Sequence, residues 1–260
     1  SFASPLRWEI ADPRACTWVL GRALRGLKNG PSPKWLQDKL TAIGLRPINA
    51  LVDVTNWFTY DLGRPLHVFD VKKTKGGVLT MRMAREGERL LALNGKEYVL
   101  TPEDGVIADE AGAEALGGII GGEHTGCDAT TTEAFIECAL FDPVRIALSG
   151  RRHDIRTDAR ARFERGIDPA LMPQAIEAAA RMMLDLCGGE ASEVVSAGAE
   201  PDWHRSASLR FERLASYGGA DVPPDEAVGI LERLGFTVWP ETAWGPELHA
   251  LVRHEHDLGL

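Results

Sequence analysis

The segment spanning residues 53–70, DVTNWFTYDLGRPLHVFD, limits what this chain can fold into more than any other. It sets Asp53, Thr55, Asn56, Arg64, His67 and Asp70 among Trp57, Phe58, Tyr60 and Phe69. A surface loop does not carry so many aromatic rings, and a plain core element does not carry so many groups that need hydrogen-bond partners. Polar groups held on an apolar floor are the usual construction of a small-molecule pocket. The same residues also allow a helix over 54–60, a Gly-Arg-Pro turn and a strand in which His67 is a satisfied core histidine.

A length of 260 residues fits one large domain, or a main domain with a smaller one attached. With 44% apolar and 26% charged residues, the composition is that of a folded soluble protein. No apolar run reaches the roughly 20 residues of a membrane span, and no signal-peptide pattern opens the sequence. Cys16, Cys127, Cys138 and Cys187 lack CxxC spacing and read as reduced core thiols of a cytoplasmic protein. The histidines are scattered rather than paired with them, so no metal site is expected. A net charge of −9 argues against nucleic-acid binding through a globally basic surface. One local exception stands out. Between Arg145 and Arg165 seven arginines face only Asp154, Asp158 and Glu164. That segment is either a self-paired helix face or a phosphate-contacting strip.

Taken in order, the elements are those of an α+β fold. An edge segment over 1–16 precedes a strand, WVLGRAL, within 17–29. Ser32 as cap and Pro33 in the first turn open a helix with Trp35, Leu36 and Leu40 on one face, ending at Gly44. After residue 72 the residues alternate around Asn94-Gly95, a hairpin signal. A strand over 105–109 follows, then ALGGIIGGE over 115–123, which has neither P-loop nor GxGxxG spacing. Its glycines suggest backbone lying close to a ligand or to another strand. The apolar run 131–141 is interrupted by Glu137. On an alternating strand that carboxylate points to solvent, or it points inward and needs a partner or a raised pKa. An amphipathic helix after Asp168-Pro169 stops at Gly188-Gly189. Beyond a polar connector at 198–206 lie a strand (208–210), two helices (211–217 and 225–234) and a strand (236–239).

The strings DVTN…LGRPLHVFD, GGIIGGEH, FIECALFDP and RRHDIRTDARARFERGIDP, in this order, closely resemble the central part of bacterial phenylalanine–tRNA ligase (phenylalanyl-tRNA synthetase) beta subunits. The resemblance covers residues 5–202, and the tail from Ser206 looks like the start of that subunit's next, small helical domain. It implies an editing domain over 1–202, with mixed and antiparallel sheets and packed helices, and a small, truncated or divergent helix-strand domain over 206–260. The implied activity is hydrolysis of tyrosine mischarged onto tRNA(Phe), with no cofactor. Charging with ATP and Mg2+ would belong to the complete cytoplasmic enzyme, a heterotetramer of two alpha and two beta subunits. A non-catalytic scaffold or tRNA-docking module with a lapsed pocket is the alternative.

Carried over position by position, the resemblance makes His67, Thr55 and Asn56 the residues that position a water at the ester. It makes Glu137 the acceptor of the tyrosine hydroxyl, and Gly118, Gly121, Thr157 and Ala159 further pocket residues. Arg151, Arg152, Arg156 and Arg162 are the candidate tRNA contacts. Three positions depart from the family pattern: Arg160 stands where serine is frequent, Asp154 where glycine is, and Val68 where alanine is. After Val252 the tail Arg253-His254-Glu255-His256-Asp257 also departs from it.

Overall fold

Alternation in the run that contains Glu137 decides the layout of the main unit. The computed structural model describes residues 2–202, 205–240 and 247–252. It divides into two units, Ser1–Pro201 and Asp202–Leu260. The first contains β1 (Arg7–Ile10), β2 (Trp18–Arg25), α1 (Lys34–Ala42), α2 (Ala50–Asp61), β3 (His67–Asp70), β4 (Val78–Met83), β5 (Arg89–Leu91) and β6 (Glu97–Val99). It continues with β7 (Gly105–Ala108), β8 (Ala113–Leu116), β9 (Ile120–Gly121), β10 (Glu133–Leu140), α3 (Pro143–Arg152), α4 (Asp158–Phe163), α5 (Met172–Cys187) and β11 (Glu190–Gly198).

An antiparallel sheet of order β11-β2-β10-β3 forms the middle layer. On β10, Ala134, Ile136 and Cys138 face one way, into a core with Leu36 and Leu40 of α1, Leu51, Val54 and Phe58 of α2, and Met172, Ile176 and Met183 of α5. Phe135 and Ala139 face the other way, into a core with Leu79, Met81, Ile107 and Leu116. Those four belong to a second sheet of order β1-β4-β7-β8-β9, mixed because β1 and β4 run parallel. Period-two alternation thus gives one strand two cores. Glu137 belongs with the set that faces the second sheet.

The glycine run becomes a hairpin, β8 and β9, whose turn holds Gly117 and Gly118. Asn94-Gly95 likewise turns between β5 and β6, with Gly95 at φ +74°. At α1 the expectation fails in two particulars. Ser32 does not cap the helix; its hydroxyl donates to the buried carboxylate of Asp53 at 2.5 Å, tying α1 to the first turn of α2. Trp35 is 47% exposed rather than on the core face, and its ring packs edge-on against Trp57.

The second unit holds α6 (Glu212–Ser216), α7 (Pro224–Arg233) and three strands, β12 (Arg205–Arg210), β13 (Phe236–Pro240) and β14 (Glu247–Val252). Of its strands, β14 is missed in the sequence; it pairs with both others and is the centre of the sheet. The tail 253–257 lies outside the described residues.

Candidate functional site

Strand register, rather than closeness in sequence, assembles the site. Glu137 on β10 sits directly opposite His67 on β3 and, on its other side, opposite Gly21 on β2. Both side chains border a cavity walled by Gly118 and Gly121 of the glycine hairpin, Ala159 and Phe163 of α4, and apolar residues that include Leu66, Ile107 and Leu116. The cavity measures about 80 Å3. One water needs about 10–15 Å3, so several waters can enter.

Two polar atoms at this cavity have no hydrogen-bond partner among the described residues: Oε1 of Glu137 and Nε2 of His67. Leaving such a group unsatisfied costs about 1–3 kcal/mol, and folds seldom do it twice in one place without a ligand to satisfy. Burial pushes Glu137 from its ordinary 4.5 up to about 7, against the opposing pull of the Arg64 guanidinium and of a hydrogen bond at the Ala139 backbone. Burial also pushes His67 from 6.5 down to about 4. At neutral pH the imidazole is therefore uncharged, with one nitrogen a donor and the other an acceptor.

The glycines work by different means. A Cβ on Gly121 would lie 2.5 Å from Cε1 of His67, so the backbone itself forms the wall beside the imidazole. Gly118 has φ +68°, and a Cβ there would lie 2.7 Å from the Phe141 ring. Thr157 contributes from behind the wall. Its hydroxyl donates to the Ile119 carbonyl at 2.7 Å and accepts the N–H of Arg160, fastening the hairpin to the start of α4.

Thr55 and Asn56 are not brought to this cavity. α2 packs on the helix-covered side of the middle sheet. The Thr55 hydroxyl is spent within the helix, on the Val52 carbonyl at 2.7 Å, and Asn56 is half-buried outside the cavity wall. Phe163, not singled out in the sequence, also forms part of the wall and packs edge-on against Phe141.

A B3/4 domain model matches residues 15–188. The chain belongs to the B3/4 domain family. It is 58% identical over 241 residues to the phenylalanine–tRNA ligase beta subunit of Gluconobacter oxydans, covering 93% of this chain and 29% of that protein. It is 56% identical over 260 residues to the subunit of the same name from Paramagnetospirillum magneticum, covering 97% and 32%. The chain thus spans about a third of the length of these relatives. A crystal structure of an N-terminal fragment of the phenylalanyl-tRNA synthetase beta subunit from Pyrococcus horikoshii is similar at 12% identity and a TM-score of 0.49, over 96% of this chain and 69% of that one.

Within this B3/4 domain the arginine segment divides in two. Arg152 is committed to Asp104, a fully buried carboxylate that also takes Ser149 Oγ at 2.6 Å, the Thr101 N–H at 2.9 Å and His153 Nε2 at 2.9 Å. Burial pushes Asp104 up, but those bonds outweigh it and hold the carboxyl below its ordinary range. Arg162 lies over the Tyr60 ring at 4.5 Å and reaches the Asp158 carbonyl at 3.0 Å. Arg160 turns away from the cavity, packing over Gly150 and bonding Glu164 and the Ile155 carbonyl. By contrast Arg151 is exposed and has no ion pair among the described residues, and Arg156 has only a 4.0 Å contact with Asp154.

Asp154 is the one non-glycine residue with positive φ among those described, at +48°. A side chain costs about 1–2 kcal/mol there, less for aspartate, and glycine costs nothing sterically. Asp154→Gly is expected to raise stability by about 0.5 kcal/mol in chemical denaturation, with the slope unchanged. A loss of stability would mean that the aspartate earns its place by a contact. Among the described residues, no cluster of His, Cys, Asp and Glu is placed to hold a metal ion, and no helix is long and apolar enough to cross a membrane.

Proposed function

We propose that this chain is the editing domain of a phenylalanine–tRNA ligase beta subunit, and that its cavity hydrolyses tyrosine from mischarged tRNA(Phe). The observation that carries the reading is the facing pair of partnerless atoms, Glu137 Oε1 and His67 Nε2, at one glycine-walled cavity. Phenylalanine and tyrosine differ by a hydroxyl that an apolar synthetic site rejects only weakly. A buried acceptor reverses the preference. Tyrosine satisfies Glu137, whereas phenylalanine leaves it desolvated and unpaired at a cost of about 1–3 kcal/mol.

His67, uncharged, holds a water beside the ester carbonyl. With so low a proton affinity it orients and polarises that water rather than taking its proton outright. The water oxygen bonds to the carbonyl carbon, the bond to the ribose oxygen breaks, and that oxygen leaves with the proton. Arg151 and Arg156, which the fold leaves exposed, are the arginines free to meet tRNA phosphates. In the complete cytoplasmic enzyme the alpha subunit would carry out the charging that uses ATP and Mg2+. Arg160, the departure from the family pattern nearest the pocket residues Thr157 and Ala159, bears on Gly150 instead of the cavity and so does not favour the scaffold alternative.

The test is release of tyrosine and of phenylalanine from tRNA(Phe) by the full-length protein in its synthetase. Tyrosine release should exceed phenylalanine release, His67→Ala should slow it on the order of 10²-fold, and Glu137→Ala should erase most of the preference. Equal, unchanged rates in both variants would sink the reading.

A further inference from the structure

The proposed chemistry leaves one buried charge unexplained. Arg64 is 1% exposed, among the largest fully buried side chains of the described residues. Its Nε donates to Cys138 Sγ at 3.3 Å and its Nη2 to the Ala139 carbonyl, while its Nη1 has no partner. Its guanidinium also lies 5.6 Å from the centroid of Phe163, a wall of the cavity. Among the described residues it makes no ion pair. A guanidinium stays charged under any condition a fold survives, and a buried unpaired charge is expensive enough that folds supply a counter-charge. Both of its hydrogen bonds end on β10 at the two residues that follow Glu137, and the guanidinium is near enough for its charge to act on that carboxylate, whose Oε1 is also without a partner.

Resting on the editing reading above, we propose that Arg64 is the positioning residue of this site: its guanidinium is the fixed cation that lets Glu137 reach the cavity as a carboxylate anion. An ionised Glu137 is an acceptor on both oxygens, whereas a protonated one can offer an O–H where the tyrosine hydroxyl must donate. Without Arg64, only the hydrogen bond at the Ala139 backbone opposes burial, and Glu137 is protonated at working pH. The other titratable groups around Glu137 do not replace it. His67 on β3 is uncharged, Cys138 on β10 and Cys16 ahead of β2 are thiols held protonated by burial, and the walls from the second sheet and α4 are apolar. Arg64 need not touch the substrate to act; it works through the residue that does.

The experiment is a carbon-13 NMR titration of the Glu137 side-chain carboxyl, assigned by its disappearance in E137Q and run on wild type, R64K and R64Q. The wild-type midpoint is expected near pH 7. R64Q should raise it by about one pH unit or more, and R64K, which keeps the charge, should move it by less than half as much. The pH profile of tyrosine release by the full-length protein should move to alkaline pH by the same amount in R64Q. A folded R64Q with the wild-type midpoint overturns the proposal. Should R64Q not fold, citrulline at position 64 removes the charge and keeps the donors to Cys138 and Ala139; the same midpoint then decides. A wild type that releases no tyrosine would overturn the editing reading, while the NMR midpoint would still judge Arg64.

Discussion

Replacing Glu137 by glutamine will make this fold more stable than wild type at neutral pH, and replacing His67 by asparagine will make it more stable in acid. Both follow from linkage, with opposite signs. Glu137 titrates near 7 in the fold against 4.5 when unfolded. Its raised pKa means that the stability it contributes is present below pH 4.5 and is lost as pH rises through 7. His67 titrates near 4 against 6.5. Its depressed pKa means that its contribution is present above pH 6.5 and is lost as pH falls through 4. Each shift corresponds to about 3 kcal/mol over its own window.

Between pH 4.5 and 6.5 the two effects run against each other at about 1.4 kcal/mol per pH unit and nearly cancel. Wild type therefore hides both. Relative to it, Glu137→Gln gains stability as pH climbs from 4.5 to 7, and His67→Asn gains stability as pH drops from 6.5 to 4. Denaturant unfolding at half-unit pH steps reads the two differences directly. Curves parallel to wild type in either variant would mean that the group is solvated or already paired in solution, and the cavity would lose its defining feature. The tension between stability and function is the general mark of a working site: residues left unsatisfied in the fold are kept for a ligand.

The parts of this architecture that follow local rules were legible in the sequence. An apolar run marked the strand holding Glu137, alternation around Asn94-Gly95 marked a hairpin, and the Asp168-Pro169 start and Gly188-Gly189 stop bracketed α5. The parts that depend on which elements meet were not. Nothing near Glu137 in the chain says that β3 will lie beside it, 70 residues away, and only that register sets Glu137 against His67. Ser32 has the look of a helix cap, yet Asp53 arrives from the next helix and takes its hydroxyl. Arg64 reads as a turn residue between Gly63 and Pro65, and only the packed fold carries its guanidinium into the core. The seven arginines allow a self-paired helix face or a phosphate-contacting strip, and neither reading anticipates that a buried carboxylate at Asp104, far outside the segment, claims Arg152 for the fold. β14 escaped notice although one partner, β13, directly precedes it, because the other, β12, lies far back in the chain.

Two glycines of one hairpin give the sharpest separation of site from scaffold. Gly121→Ala should abolish most tyrosine release while leaving a folded protein. Its backbone is not in the left-handed region, so the added methyl meets only space, and that space is taken by His67 Cε1 at 2.5 Å, His67 Nε2 at 3.1 Å and Leu93 at 3.0 Å. The imidazole cannot easily retreat, because it packs edge-on against Phe69 at 4.5 Å. Displacing it by an ångström would cost on the order of 10²-fold in rate, with about 1–3 kcal/mol of overpacking. Gly118→Ala should do the reverse in emphasis. At φ +68° a side chain is strained by about 1–2 kcal/mol. Its methyl would also strike the Phe141 ring at 2.7 Å and Ile146 at 2.8 Å, neither of which is a flexible surface side chain. The sum is on the order of 3 kcal/mol or more, lowering the melting temperature of whatever activity survives. Thermal melts and tyrosine release measured on both variants separate the two roles. A Gly121→Ala protein that hydrolyses normally would remove His67 from the reaction. A Gly118→Ala protein with the wild-type melting temperature would show that the hairpin does not rest on Phe141, and the wall of the cavity would have to be sought elsewhere.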